Sequence, residues 1–154
     1  MTAIDDIYST RLFELAGDMP RTLRYAQPDA KASAHSKLCG STIEVDVCVE
    51  GDRIMGYGQT VQACLLGQAA AAIVGREING TPIAEFHALA RQMRAMLKEG
   101  GPPPTGKWAD LALLQPVKDY KQRHGSVLLV FEAIEKALAQ IEPRDAAAAA
   151  SGQP

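Results

Sequence analysis

The chain has few cysteines and no excess of charge of either sign. Three cysteines among 154 residues, behind an amino terminus without a secretory apolar run, argue against a disulfide framework and favour reduced thiols. Sixteen basic and 18 acidic residues give a formal charge of -2, so there is no basic footprint for nucleic acid. No apolar run reaches membrane-spanning length. We expect a cytoplasmic protein with neither nucleic acid nor membrane as a partner.

The chain also lacks the local motifs of common enzyme classes. Its histidines are His35, His87 and His124, and none lies in a hydrolase motif such as Gly-x-Ser-x-Gly. The glycines of residues 51–58 lack the strand–turn–helix context of a phosphate-binding loop. No catalytic residues are predicted, and the chain is not expected to be an enzyme.

The spacing of apolar residues predicts the strands of an α+β fold. Residues 43–49 alternate between apolar and polar side chains, which is the pattern of a half-buried strand. Gly51 and Asp52 form a turn before a second strand ending near Val61, so the two make an antiparallel hairpin. An edge strand within residues 31–38 would complete a small three-stranded antiparallel sheet packed against helices.

Helical segments are predicted on both sides of these strands. Apolar residues at helical spacing mark a first helix over residues 4–15, and an alanine-rich helix follows Leu65. Thr81 and Pro82 supply a cap and a first-turn proline for the next helix. The last helix is marked from Val127, after a polar stretch.

A single domain is predicted over residues 1–142. A hydrophobic content of 47% is enough to bury a core at this length. The alanine-rich residues 143–154 have low complexity, and we expect them to form a disordered tail.

Several motifs, taken in order, resemble one known family. They are residues 28–47 (PDAKASAHSKLCGSTIEVDV), the interval from Cys39 to Cys64, residues 64–80 (CLLGQAAAAIVGREING) and residues 123–138 (RHGSVLLVFEAIEKAL). Together they are similar to the U-type iron-sulfur cluster assembly scaffolds, which include IscU, SufU and the NifU amino-terminal domain.

The resemblance extends over nearly the whole chain. Pro20 and Arg21 look like the family's Asn-Pro-Arg turn, and residues 81–114 resemble the insertion of the SufU branch. The resemblance therefore implies a SufE/NifU-like fold and identifies the chain as a divergent SufU-like member.

In such scaffolds three cysteines and one aspartate, at three loop tips, hold zinc or a [2Fe-2S] cluster. The resemblance places two of these cysteines at Cys39 and Cys64, and His124 matches the histidine that precedes the third. Ser41 stands where the family has its aspartate, and Gly125 stands where it has its third cysteine. The resemblance thus implies Cys39, Cys64 and His124 as metal and cofactor ligands.

The chemistry of these residue types agrees with that site. Thiolate sulfur selects zinc and iron-sulfur units, and three protein ligands with an open fourth position suit a transiently held group. Cys64 precedes a predicted helix, whose unpaired N–H groups raise the nucleophilicity and metal affinity of a thiol. Cys48 is left out of the site because strand parity places it on the polar face with Glu44 and Asp46.

The predicted function is that of an iron-sulfur cluster assembly scaffold, which transiently binds iron, zinc or a [2Fe-2S] cluster and passes it on. The implied partners are a cysteine desulfurase and iron-sulfur acceptor proteins, and two chains could share a cluster in a homo-oligomer. Two alternatives stay open: a sulfur-transfer accessory in which Cys64 accepts a persulfide without metal, and a degenerate adaptor without site chemistry.

Overall fold

The structure, a computed structural model, describes residues 9–37 and 40–151, with side chains as far as Ile141. Residues 4–8 of the predicted first helix lie outside the described residues, and so does Cys39. The predicted tail stays a prediction, because no side chain after Ile141 is described.

The elements follow each other along the chain in an α+β order. They are helix α1 (Thr10–Gly17), strands β1 (Ala30–His35), β2 (Thr42–Glu50) and β3 (Arg53–Gln62), helix α2 (Leu65–Glu77), strand β4 (Thr81–Pro82), helix α3 (Ile83–Glu99), a 3-10 helix (Gly106–Asp119) and helix α4 (Lys121–Ser151). This confirms the predicted fold class of a small antiparallel sheet packed against helices.

The sheet has the order β1-β2-β3-β4, and all its pairs are antiparallel. The β2–β3 hairpin turns at Gly51 and Asp52 as predicted, with Gly51 in the left-handed region at φ 61°. The fourth strand is one more than predicted. Thr81 and Pro82 pair with Ile54 and Arg53 before α3 begins, instead of only capping that helix.

The last helix begins earlier than the sequence predicts. Residues 118–126 read as a polar stretch, but they form the end of the 3-10 helix and the first turns of α4. Burial explains the difference, since His124 and Ser126 are almost fully buried and belong to the packed face of the helix. Because the residues at these positions are polar, the sequence does not show the apolar spacing that marks a helix.

The helices bury one face of the sheet. Phe86 of α3 stacks on Phe131 of α4 with ring centroids 5.9 Å apart, and α4 also covers the edge of β1. There Gln140 Nε2 donates to the Lys31 carbonyl at 2.7 Å, which satisfies an edge acceptor. The largest fully buried side chains are Tyr57, Phe86, Phe131, Leu12, Ile43, Ile54, Leu66, Ile73, Ile78, Met93, Met96 and Leu97.

Helices α2 and α4 approach closely through a glycine. A Cβ at Gly67 would lie 2.9 Å from the Ala63 Cβ and 3.2 Å from the Ser126 carbonyl oxygen. Only glycine fits there, so the start of α2 lies directly against the early turns of α4.

The other face of the sheet is partly covered by residues 19–25, here called the crossing segment. Its backbone lies so close to β3 that a Cβ at Gly58 would be 2.6 Å from the Leu23 carbonyl oxygen. Arg21 has φ 59°, which is unusual for a residue with a side chain, and its carbonyl accepts from the Gln59 N–H at 2.8 Å. The crossing segment is therefore held to the strand by both shape and hydrogen bonding.

Asp46 is buried beneath the crossing segment. The strand pattern predicts this residue on the polar face, yet its side chain has no solvent exposure. Its carboxylate accepts from Arg24 Nε at 2.6 Å, from Arg24 Nη2 at 2.8 Å and from the Tyr25 N–H at 2.9 Å. These charged hydrogen bonds compensate the desolvation of the carboxylate.

Within the residues that the structure describes, no helix combines the length and the apolar character needed to cross a membrane.

We expect Asp46→Asn to lower the free energy of unfolding at neutral pH by about 2–3 kcal/mol, because it removes hydrogen bonds between charged groups. The hydrogen bond from Arg24 holds the pKa of Asp46 below its ordinary value of 3.8. The native carboxylate therefore stabilises the fold above that value, and this contribution is lost as the pH falls through the lowered pKa. Denaturant unfolding at neutral and acidic pH measures both effects.

The matched control is Glu44→Gln. That carboxylate is 60% exposed and lies 3.8 Å from the same Arg24, so its loss should change the free energy of unfolding by less than about 0.5 kcal/mol. Equal losses in the two variants, or an unchanged acid profile in Asp46→Asn, would contradict the role given to the buried pair.

Candidate functional site

Cys64 lies at the junction between β3 and α2, as the sequence predicts. It is the N-cap residue of α2, with extended backbone at φ -65° and ψ 170°, and its side chain makes no capping hydrogen bond. Cys64 is half-buried and packs against the hydrophobic core. The first N–H groups of the helix and the positive end of its dipole lie beside this cysteine.

A serine from the Cys39 loop is hydrogen-bonded to Cys64. The Cys64 N–H donates to Ser41 Oγ at 3.3 Å, and Ser41 is buried. The loop itself is closed by two backbone hydrogen bonds of 2.8 Å, from the Ser36 N–H to the Ser41 carbonyl and from the Gly40 N–H to the Ser36 carbonyl. Because Cys39 belongs to this short loop, the segment that carries it is anchored at Cys64.

The third position implied by the resemblance lies against the same loop. A Cβ at Gly125 would be 3.3 Å from Ser36 Oγ, and among the described residues outside its own helix backbone it would meet no other atom within 4 Å. The turn of α4 at Gly125 thus lies next to Ser36, and the Ser126 carbonyl faces Gly67 at the start of α2. Ser41, Cys64 and Gly125 therefore belong to segments that meet at one end of the sheet.

His124 is a buried residue whose ring contacts the backbone of the preceding element. Its Nε2 lies 3.0 Å from the Val117 carbonyl oxygen and 3.1 Å from that of Lys118. Since both neighbours are acceptors, Nε2 carries the proton and donates. Only Nδ1 has a lone pair left for a metal, and it makes no hydrogen bond to any residue that the structure describes.

The predicted ligands do not form a complete metal site within the described residues. No three side chains of histidine, cysteine, aspartate or glutamate come together there. Ser41 and Gly125 supply no carboxylate or thiol to replace those of the family. Cys48 pairs with Gly56 on the face of the sheet opposite the core, in agreement with its exclusion from the site.

The surroundings of the site are basic and in part neutral. Helix α4 begins with Lys121 and Arg123 and has no acidic residue in its first turn, although the helix dipole favours acidic residues there. Lys37 of the neighbouring loop is exposed, and so is Asp119, which lies just before α4. The loop and the helix start that meet here carry more basic than acidic residues.

A neutral cavity of about 410 Å³ lies between the end of α1, the crossing segment and the sheet. It is lined by residues of the crossing segment, the end of β3 and Gln68 of α2. The Gln68 side chain donates to the Ala63 carbonyl at 2.9 Å, which fixes the backbone just before Cys64.

Sequence reasoning missed Ser36 and Gly67 as residues that shape the site. Both act through contacts between segments far apart in the chain, so no local spacing marks them. The glycine at residue 67 is the one available signal, since a glycine inside a helical pattern often marks close packing.

Comparisons with known proteins agree with this geometry. No protein-family model matches the chain, and no curated protein sequence does. Among solved structures, a nitrogen-fixing NifU-like protein (amino-terminal part) from Brucella abortus has a TM-score of 0.90 and 44% sequence identity, covering 92% of this chain and 99% of that one.

Two further structures share the fold at lower identity. One is described as an iron-sulfur cluster assembly scaffold for the SUF system (FiSufU) from the thermophile Fervidobacterium islandicum AW-1, with a TM-score of 0.79, 19% identity and coverage of 87% of this chain and 98% of that one. The other is a hypothetical protein with a TM-score of 0.77, 18% identity and coverage of 88% and 98%. Given the 44% identity over nearly the full length of both chains, this protein belongs to the family of NifU-like amino-terminal domains, which confirms the predicted U-type scaffold family.

Proposed function

We propose that this chain is an iron-sulfur cluster assembly scaffold that receives sulfur and iron, or a zinc ion, at the Cys64 end of the sheet. It holds the unit transiently, as a [2Fe-2S] cluster in the case of iron, and passes it to an acceptor protein. The chain acts as a carrier, with the metal unit as its cargo, and catalyses no bond-making step of its own.

The observation that carries this proposal is the setting of Cys64. Cys64, a half-buried cysteine at the start of α2, is hydrogen-bonded through its backbone to Ser41 in the loop that contains the second predicted thiol. A thiol beside the first N–H groups of a helix is suited to bind a soft metal or to accept sulfur.

The donors in the chain fit a labile cargo better than a permanent one. Cys39 and Cys64 offer two thiolates, and His124 offers Nδ1 only, because its Nε2 donates to backbone carbonyls. A tetrahedral site wants four donors, so at least one position stays open to solvent or to a partner. We propose that this open position is where the cargo enters and leaves.

Basic residues on the neighbouring segments support a proposal about partners. A cluster held by thiolates is anionic, and Lys37, Lys121 and Arg123 belong to the loop and the helix that meet near the proposed site, where they favour negative charge. We propose that the cysteine desulfurase and the acceptor protein dock here in turn, and that the approaching surfaces are acidic.

Anaerobic reconstitution with ferrous iron and sulfide tests the carrier function. We expect absorption of a [2Fe-2S] cluster in the wild-type chain and its loss in Cys64→Ser, since a serine hydroxyl is a poor ligand for iron. Cys48→Ser is the matched control and should retain the cluster. Absence of both iron and zinc from the wild type, or equal metal content in the two variants, would sink the proposal.

A second variant tests the space at Gly125. Gly125→Cys should supply a third thiolate, because among the described residues its Cβ would meet only the Ser36 hydroxyl, at 3.3 Å, which needs to move by a few tenths of an ångström. We expect zinc to be released to a chelator about tenfold more slowly than from the wild type. Gly17→Cys, a position with no atom within 4 Å of its Cβ, controls for an added thiol elsewhere. If Gly17→Cys slows release equally, or Gly125→Cys does not slow it, the proposed geometry is wrong.

A second candidate function is sulfur transfer without metal, which the position of Cys64 at the start of α2 favours. The Cys64 thiolate would attack the outer sulfur of a donor persulfide. The sulfur–sulfur bond of the donor breaks, its thiolate leaves, and a Cys64 persulfide forms without net oxidation.

Mass spectrometry separates the two functions. After incubation of metal-free protein with a desulfurase and cysteine, the second candidate predicts an adduct of about 32 Da on Cys64 that reductant removes. Cys48 provides the internal control within the same chain. An unmodified Cys64 would exclude this candidate, whereas an adduct spread equally over Cys48 and Cys64 would show unspecific reaction.

A further inference from the structure

A second cavity lies at the opposite end of β3 from Cys64. It has a volume of about 710 Å³ and lies between the β2–β3 turn, the start of α3 and the loop before the 3-10 helix. Its wall combines charged and polar groups with the apolar residues Pro82, Ala88, Leu89, Pro104 and Trp108. A cavity of this size is typical of a small-molecule site.

Two cationic side chains meet at one turn of this cavity. Arg53 Nη1 donates to the Gly80 carbonyl at 2.8 Å, and Lys107 Nζ donates to Thr81 Oγ1 at 2.6 Å. The acceptors belong to adjacent residues, so both cations are hydrogen-bonded to the turn at Gly80 and Thr81. In the described part of the chain, neither cation forms an ion pair with a carboxylate.

One carboxylate, Glu85, lines the cavity, and it already accepts a hydrogen bond from Trp108. Glu85 accepts from Trp108 Nε1 at 3.0 Å, while Lys107 Nζ lies 4.9 Å from the centre of the Trp108 ring. The indole thus orients both the acid and one of the cations. Two cations against one occupied carboxylate leave the cavity with a positive field.

We propose that this cavity binds a small molecule that has a carboxylate or phosphate head and an apolar body. Arg53 and Lys107 bind the head through charge-assisted hydrogen bonds, and Pro82 and Ala88, which are not fully buried, contact the body. Both cations are exposed and their present acceptors are neutral, so an anion can bind them without displacing a carboxylate.

The proposed site is separate from the thiol site. Arg53 begins the ten-residue strand β3 and Cys64 follows its end, so roughly 30 Å of extended chain lies between them. Binding in the cavity therefore does not depend on the proposed scaffold function, and the two can fail independently.

The chain contains its own reporter of binding, since Trp108 is its one tryptophan. We would titrate the protein with phenyl phosphate, phenylacetate and inorganic phosphate and follow indole fluorescence, with uncharged benzyl alcohol as the control ligand. The two aromatic anions should give saturable changes, and benzyl alcohol should give none. Comparing the affinities for phenyl phosphate and phenylacetate identifies which anionic head is preferred. The affinity for inorganic phosphate measures the contribution of the head without the apolar body.

Variants connect the signal to the two cations. Arg53→Gln and Lys107→Gln should each weaken binding of the preferred anion about tenfold, because each removes a charged hydrogen-bond donor. Lys98→Gln, an exposed cation in the last turn of α3, is the matched control and should bind like the wild type. Thermal unfolding of all three verifies that each variant is folded.

Three results would overturn the proposal. They are the lack of saturation with any of the anions, an equal response to benzyl alcohol, and affinities of Arg53→Gln and Lys107→Gln that match the Lys98→Gln control. Binding that is also weakened by added salt would support the electrostatic argument, as expected for a partly exposed cation pair.

Discussion

The buried carboxylate of Asp46 is the constraint on which the arrangement of the sheet depends. An unpaired charge in this position would cost several kcal/mol, so the crossing segment cannot leave the sheet without a large penalty. With the segment in place, Gly56 and Gly58 of β3 are covered, and a one-residue slip of β3 would place side chains where only glycine fits. The register of β3 determines where the strand ends, and thereby where Cys64 lies relative to Ser41.

At the site, the two residues that stand in place of family ligands, Ser41 and Gly125, take part in packing. The resemblance gives a metal-binding aspartate at the position of Ser41, yet here the Ser41 hydroxyl accepts the N–H of Cys64 in a buried setting. Gly125 lets α4 approach the Ser36–Ser41 loop, and Gly67 lets α2 approach α4. The same three segments meet as in a complete site, but part of their chemistry has become structural.

The elements that follow from periodicity were predictable, and those that follow from contacts between distant segments were not. The alternation of residues 43–49 and the helical pattern after Leu65 gave β2 and α2 close to their observed positions, because side-chain period reports which face is buried. The burial of Asp46 and the early start of α4 were not predicted. In a sequence, a buried polar residue cannot be distinguished from a surface residue until its hydrogen-bond partner is known. The position of Cys64 between a strand and a helix was predictable, because the sequence patterns of both elements are adjacent. The hydrogen bond from His124 Nε2 was not, because no sequence pattern marks the carbonyls that accept it.

The number of donors, rather than their position, sets the character of the proposed carrier site. Each bond between a protein ligand and the metal must break before the cargo leaves. A site with two thiolates and one imidazole nitrogen therefore releases its cargo faster than a site with four protein ligands. The geometry of the three segments is kept by backbone hydrogen bonds and glycine contacts that do not depend on metal. We therefore propose that the site keeps its geometry after the cargo leaves, which is the physical requirement for a protein that transfers what it binds.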